Sequence, residues 1–169
     1  MIKQFITGRT YVFIDAANIL YSQQTLRWRV DYEKLKKYFE SECNLAKIYF
    51  YTGRVGDNEK QNSFLKKLEK LGYVVKAKEV KRIKIENNLF ELKGNLDIEL
   101  ALDAYSFKNN YDTILLLSGD SDFAYLLDLL KKEGKRMLVF STRGHVSKEL
   151  IERAKYIDLR KLRNYIKMR

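Results

Sequence analysis

The segment from Asp112 to Leu117 reads as an almost unbroken run of β-branched and leucine residues, and it runs directly into Ser118-Gly119-Asp120-Ser121-Asp122-Phe123. A strand that is apolar on consecutive residues has no face to give to water, so helices must cover it on both sides. That is the signature of a central strand in a parallel sheet. The rest of the chain supplies the covering layers. Strand-like runs at Thr10 to Ile14, Ala46 to Tyr51, Tyr73 to Val80, Arg136 to Ser141 and Tyr156 to Leu159 alternate with stretches of helical periodicity. The helices are expected near Asp31 to Cys43, from Glu59 to Leu71 with Gly72 as a C-terminal cap, and from about Asn95 to Ser106. Two more are expected from Ser121 to Glu133, stopping at Gly134, and from Ser147 to Arg153. The expected architecture is α/β, a three-layer α/β/α sandwich with a mainly parallel sheet and right-handed crossovers. The segment Lys76 to Lys93 is less regular, with six basic and three acidic residues, and reads as an extended arm or hairpin beside the site.

With no proline, linker, repeat or low-complexity tract, the 169 residues are expected to form one unit, with a core over about 10–160 and a basic end over 160–169. A hydrophobic content of 46% is enough to bury a real core. Uncharged apolar runs such as Ile114 to Leu117 fall far short of the roughly 18 residues a membrane span requires, and no N-terminal signal pattern is seen. A cytoplasmic protein without a membrane partner is expected. The single cysteine, Cys43, and single histidine, His145, leave no multi-cysteine or His-rich metal site, so metal chemistry would have to run on carboxylates. The formal net charge of +11 calls for an anionic partner, and nucleic acid leads. A membrane surface would require a helix with Lys and Arg on one face and aromatics on the other, and only the basic C-terminal stretch comes near that.

In an open parallel sheet, ligands bind outside the carboxyl ends of the strands. Here those ends are acidic. The first strand runs into Phe13-Ile14-Asp15-Ala16-Ala17-Asn18, and the central strand delivers Asp120 and Asp122. Lys93-Gly94-Asn95-Leu96-Asp97 adds a fourth acid, because a crossover helix must begin on the edge where the preceding strand ended. Asp103 lies about 9 Å further down that helix and on another face, outside the set. Four carboxylates packed together repel one another and take up protons unless a cation neutralises them. Hard oxygen donors suit Mg²⁺ or Mn²⁺, which can activate water and stabilise charge on a scissile phosphate. The bland alternative is that each acid only caps or faces a helix start, with Ser121 as a further cap.

The three segments Phe13-Ile14-Asp15-Ala16-Ala17-Asn18, Lys93-Gly94-Asn95-Leu96-Asp97 and Ser118-Gly119-Asp120-Ser121-Asp122-Phe123 resemble, in order and spacing, the NYN domain of the PIN-like nuclease superfamily, in its LabA-like branch. The likeness runs from about Tyr11 to Leu159, and the last segment is the most specific. It implies a Rossmann-like, PIN-type fold and a metal-dependent ribonuclease. Asp15, Asp97, Asp120 and Asp122 match the family's acidic positions, as catalytic and metal-binding residues, and Asn18 matches its Asn after the first Asp. Many members carry Gly or another polar residue where this chain has Ala16-Ala17.

Other residues carry a weaker signal. Asn18 could bond a carboxylate or phosphate or cap the following helix, and Ser118 could orient Asp15 or a ligated water. Lys93 and Arg143 could contact phosphate, although a solvated lysine is an equal alternative. His145 follows Arg143-Gly144 and reads as a surface-loop residue, and Cys43 as a small apolar filler. Tyr21, Trp28 and Tyr32 lie among Arg27, Arg29 and Lys34, a mixture suited either to stacking on unpaired bases or to core packing. Arg160, Lys161, Arg163, Lys167 and Arg169 either extend a phosphate-binding surface or form a frayed tail. The leading expectation is a Mg²⁺- or Mn²⁺-dependent endoribonuclease acting on single-stranded or structured RNA, with a homodimer left open. The alternative is a non-catalytic RNA-binding or regulatory module. A haloacid-dehalogenase phosphatase would need an Asp where Ala17 stands, and a phospho-acceptor receiver would want a Lys that Ser141-Thr142-Arg143 does not supply.

Overall fold

Every residue of the strand Thr113–Leu117 is buried, and this strand lies inside a six-stranded sheet in a computed structural model. The structure describes residues 1–84, 90–93 and 96–168, with the backbone alone over 81–84 and 90–93. In chain order the strands are β1 (Arg9–Asp15), β2 (Asn44–Arg54), β3 (Val74–Glu79), β4 (Lys81–Lys84), β5 (Phe90–Lys93), β6 (Thr113–Leu117), β7 (Arg136–Ser141) and β8 (Lys155–Asp158). The helices are α1 (Ala16–Leu26), α2 (Tyr32–Glu42), α3 (Glu59–Lys70), α4 (Asp97–Ser106), α5 (Ala124–Lys132), α6 (Lys148–Arg153) and α7 (Arg163–Ile166). The sheet runs β3-β2-β1-β6-β7-β8 and every pairing in it is parallel. β4 and β5 form a separate antiparallel hairpin, so the arm read from 76–93 continues β3 before it turns back. Strand order reverses between β1 and β6, and such a switch point opens a crevice at the carboxyl ends.

Side chains alternate across the sheet, as a period of two requires. Val12 and Ile14 of β1 join Ile48, Phe50, Leu115, Leu117 and Phe140 beneath α1, α2, α3 and α7. Tyr11 and Phe13 point the other way, into a cluster with Tyr49, Leu116, Leu100 of α4, Leu127 of α5 and Leu150 of α6. The Phe13 and Tyr49 rings stack at 5.0 Å on that side. The fold is thus the expected α/β/α sandwich. No helix among the described residues is long and apolar enough to cross a membrane.

Two features differ from the reading of the sequence, and a third decides between alternatives it left open. The first crossover holds two helices, because Asp15 caps a helix α1 that starts at once and ends at Arg27 in the left-handed region (φ 57°). The segment from Ser121 to Glu133 opens as a 3-10 turn over Ser121–Phe123 capped by Asp120, so Ser121 is not the cap. The basic C-terminal stretch is not a frayed tail over residues 159–168, and Arg169 lies outside the described residues. Leu159, Leu162 and Ile166 are buried in the core, and Lys167 bridges to Val30. Among the aromatics weighed for stacking on RNA, Trp28 is buried in the core, and Tyr32 packs edge-on against Phe50 at 5.2 Å. Only Tyr21 of the three is exposed, at 60%.

If the C-terminal turn is a structural element, Ile166→Ala should lower unfolding free energy by about 3 kcal/mol, the usual cost of truncating a buried Ile. The exposed Lys167→Ala should change it by less than about 0.5 kcal/mol. Denaturant titration of the two variants checks both, and equal, negligible losses would return this segment to the frayed tail.

Candidate metal centre at the carboxyl edge of the sheet

The pairing of β1 with β6 runs Thr10↔Thr113 to Ile14↔Leu117, so the next residue on each strand, Asp15 and Ser118, emerge side by side at the switch point. The Ser118 hydroxyl donates to Asp15 Oδ2 at 2.9 Å. The Asn18 backbone N–H donates to Oδ1 at 3.2 Å, so Asp15 caps α1 while it faces the crevice. Asp15 is only 9% exposed. Burial is the main cause that pushes its carboxyl above the ordinary range; the hydrogen bonds from Asn18, Ser118 and Ala17 oppose that rise, and the nearby Asp120 charge adds to it.

Asp120 follows Gly119 on the turn after β6, where the Ser118 hydroxyl also accepts its backbone N–H at 3.2 Å. Asp120 Oδ1 in turn accepts from the Asp122 backbone at 3.0 Å. This turn admits only glycine at 119. An added Cβ would stand 1.7 Å from the His145 carbonyl oxygen, because the loop after β7 crosses here and the Ser147 N–H donates to the Gly119 carbonyl at 2.9 Å. Asp97 is the first residue of α4, whose N-cap, Leu96, offers no side-chain cap. One carboxylate oxygen each from Asp97, Asp120 and Asp122 lie within 4.8 Å of one another. Asp97 and Asp120 are half-buried and Asp122 is exposed. Donors of one hard, anionic kind that converge this closely fit a divalent cation that prefers oxygen, and Mg²⁺ and Mn²⁺ are such ions.

Asp15 stands outside that trio and lines a small pocket with Ala17, Tyr51, Thr52, Gly53, Leu96, Asp97 and Leu100. The capping alternative is therefore realised for Asp15 and Asp120, which spend one oxygen on a backbone N–H, and the acids still meet on one edge. Asp103 is bonded instead by the Tyr51 hydroxyl at 2.9 Å, away from the trio, as its position on the helix implied. Asn18 lies in α1 and does not cap it; its Oδ1 accepts from the Ser141 hydroxyl at 3.3 Å. Arg143 is exposed in the turn after β7 and makes no ion pair among the described residues. Lys93 ends β5, and its side chain, like Gly94 and Asn95, lies outside the described residues. His145 is a loop residue, as read, with Nε2 2.5 Å from Thr25 Oγ1.

Three residues at this edge were not foreseen from the sequence. Tyr51 and Thr52 belong to β2 where it reaches the same edge, and the rule that strand ends carry function would have reached them had it not been applied to acids alone. Ser141 links Asn18 to the His145 carbonyl, which its hydroxyl reaches at 3.2 Å, and nothing in a lone serine announces that bridge.

An order 3-2-1-4-5-6 along the parallel sheet, with carboxylates gathered at its switch point, defines a Rossmann-like α/β protein with an acidic centre. The NYN domain family model matches residues 9–160, and the chain belongs to that family, a branch of the PIN-like nuclease superfamily. It is 36% identical over 167 residues to the low amplitude and bright protein LabA of Synechococcus elongatus, covering 96% of this chain and 89% of that one. A crystal structure of a Vibrio parahaemolyticus protein of unknown function shares the fold with a TM-score of 0.76 at 23% identity, over 94% of this chain and 96% of the other.

Because the folded state raises the Asp15 pKa, Asp15 contributes stability below its unfolded pKa of about 3.9, and that contribution is lost as pH rises through the raised value. In chelator, Asp15→Asn should therefore gain stability relative to the parent as pH climbs from 4 towards 7. Parallel melting temperatures for the two proteins across that range would contradict the burial argument.

Proposed function

We propose that the protein is a Mg²⁺- or Mn²⁺-dependent endoribonuclease that hydrolyses RNA phosphodiester bonds at the acidic edge. The observation that carries this reading is the convergence of oxygens from Asp97, Asp120 and Asp122 within 4.8 Å, beside a buried Asp15, on a nuclease-superfamily fold. Asp97, Asp120 and Asp122 would hold the ion, with Asp15 completing the acidic wall towards β1. A bound divalent ion supplies activated water and offsets charge on the phosphate. Ser118 keeps Asp15 in one orientation through its 2.9 Å hydrogen bond, and Asn18 is fixed by Ser141 at the rim. Arg143 and Lys93 are the proposed contacts to substrate phosphates, which position without reading sequence.

The choice of RNA follows the family and the charge of +11, since phosphate contacts by Lys and Arg dominate nucleic-acid affinity. The test incubates labelled single-stranded and hairpin RNA, with a DNA control, in Mn²⁺, Mg²⁺ or EDTA. Cleavage should need the metal, vanish in Asp120→Asn, and fall about 10- to 100-fold in Ser118→Ala, the usual cost of losing a residue that orients a ligand. RNA that stays bound but intact in either metal would favour a binding module instead.

A further inference from the structure

The opposite, amino edge of the sheet holds a groove of about 620 Å³, a size typical of ligand sites. Its walls come from the residues before β1, the end of α5, the starts of β7 and β8, and the end of α6. Lys131, Lys135, Arg136 and Lys155 converge on it, and none of these has a carboxylate partner among the described residues. Lys135 Nζ donates only to the Tyr111 carbonyl, at 2.8 Å, which leaves its charge uncompensated. The groove's other ions are already paired. Arg153 is held by Asp128 at 2.9 Å, and Glu152 faces Lys148 at 3.6 Å. Half-buried Phe5 and Met137 also line the groove, and Lys155 sits over the Phe5 ring at 4.5 Å.

We infer that this groove is a second nucleic-acid site, which grips the phosphodiester backbone of single-stranded RNA away from the acidic edge. The inference rests on the RNA reading of the protein and adds to it a binding surface. Carboxylates at the cutting edge repel phosphates, so cations away from that edge add affinity that Arg143 and Lys93 supply only in part. Four cations without carboxylate partners beside one aromatic and one thioether side chain suit a phosphate backbone whose sugars and bases meet some apolar surface, the usual design of single-strand grooves. A recess also suits a chain better than a flat bilayer, which meets protruding surfaces. The groove lies about 20 Å from the acids, the length of six-residue β7 at about 3.3 Å per residue.

The test compares the parent with Lys131→Gln/Arg136→Gln/Lys155→Gln, in EDTA, by fluorescence anisotropy of a labelled single-stranded 20-nucleotide RNA over a range of salt. A control triple, Lys47→Gln/Lys66→Gln/Lys70→Gln, removes the same charge from exposed positions outside the groove. The groove variant should bind at least about tenfold more weakly at low salt, with a salt slope smaller by about 2, the value for three lost contacts to a single strand. Its melting temperature should match the parent's. Affinity unchanged within twofold, an equal loss in the control triple, no RNA binding by the parent, or, in a parallel sedimentation assay with phosphatidylserine vesicles, a loss seen there and not with RNA would each overturn the inference. Parent protein that binds through the groove yet never cuts in Mn²⁺ would sink the nuclease reading and leave the groove standing. Parent that cuts while the groove variant binds normally would do the reverse.

Discussion

The hydrogen bond from Ser118 to Asp15 joins the two central strands where the sheet's order reverses, and the candidate site depends on it. β1 and β6 are buried on both faces, so their register is fixed by packing. A slip of one residue would turn Phe13 and Leu116 to the wrong layer. With register locked, Asp15 and Asp120 must arrive together, and the strain of like charges becomes a property of the fold. The raised pKa of Asp15 comes mainly from desolvation, against the hydrogen bonds from Asn18, Ser118 and Ala17, and the Asp120 charge adds the smallest share.

Such a cluster is tolerable in a protein that is otherwise strongly basic. The acids converge at one end of the sheet, while Lys131, Lys135, Arg136 and Lys155 gather at the other. A cation entering the acidic end relieves repulsion there, and a polyanion entering the basic end relieves it there. The loop after β7 ties the acidic end to the rest of the fold, through Ser141 to Asn18 and across Gly119. Its close approach explains why the acidic turn carries glycine rather than any larger residue.

Much of the architecture could be read from the chain because buried strands and capped helices leave local marks. Thr113–Leu117 announced a two-faced strand, Gly72 ended α3 with a φ of 87°, and Asp31 capped α2. The convergence of Asp97 with Asp120 and Asp122 followed from where a crossover helix has to begin, even though a hairpin intervenes between β3 and α4. Helix α1 was missed because Ala16–Leu26 has little amphipathic contrast, with exposed Leu20 and Tyr21 beside buried Ile19 and Leu26. For Trp28 and Tyr32 the basic neighbours left an RNA platform and core packing equally open, and tertiary packing turned both rings inward. Contacts between distant segments, such as Ser141 to Asn18 and the groove formed by Phe5, Lys131 and Lys155, have no local signature at all.

If the acids at the switch point are a cation site, anomalous diffraction from crystals soaked in Mn²⁺ should show one or two peaks bonded to carboxylate oxygens of Asp97, Asp120 and Asp122, at about 2.0–2.3 Å as hard oxygen donors require. Those peaks should be lost in Asp120→Asn. Crystals saturated with Mn²⁺ that show no peak at this edge, or a peak held only by acids elsewhere, would contradict it.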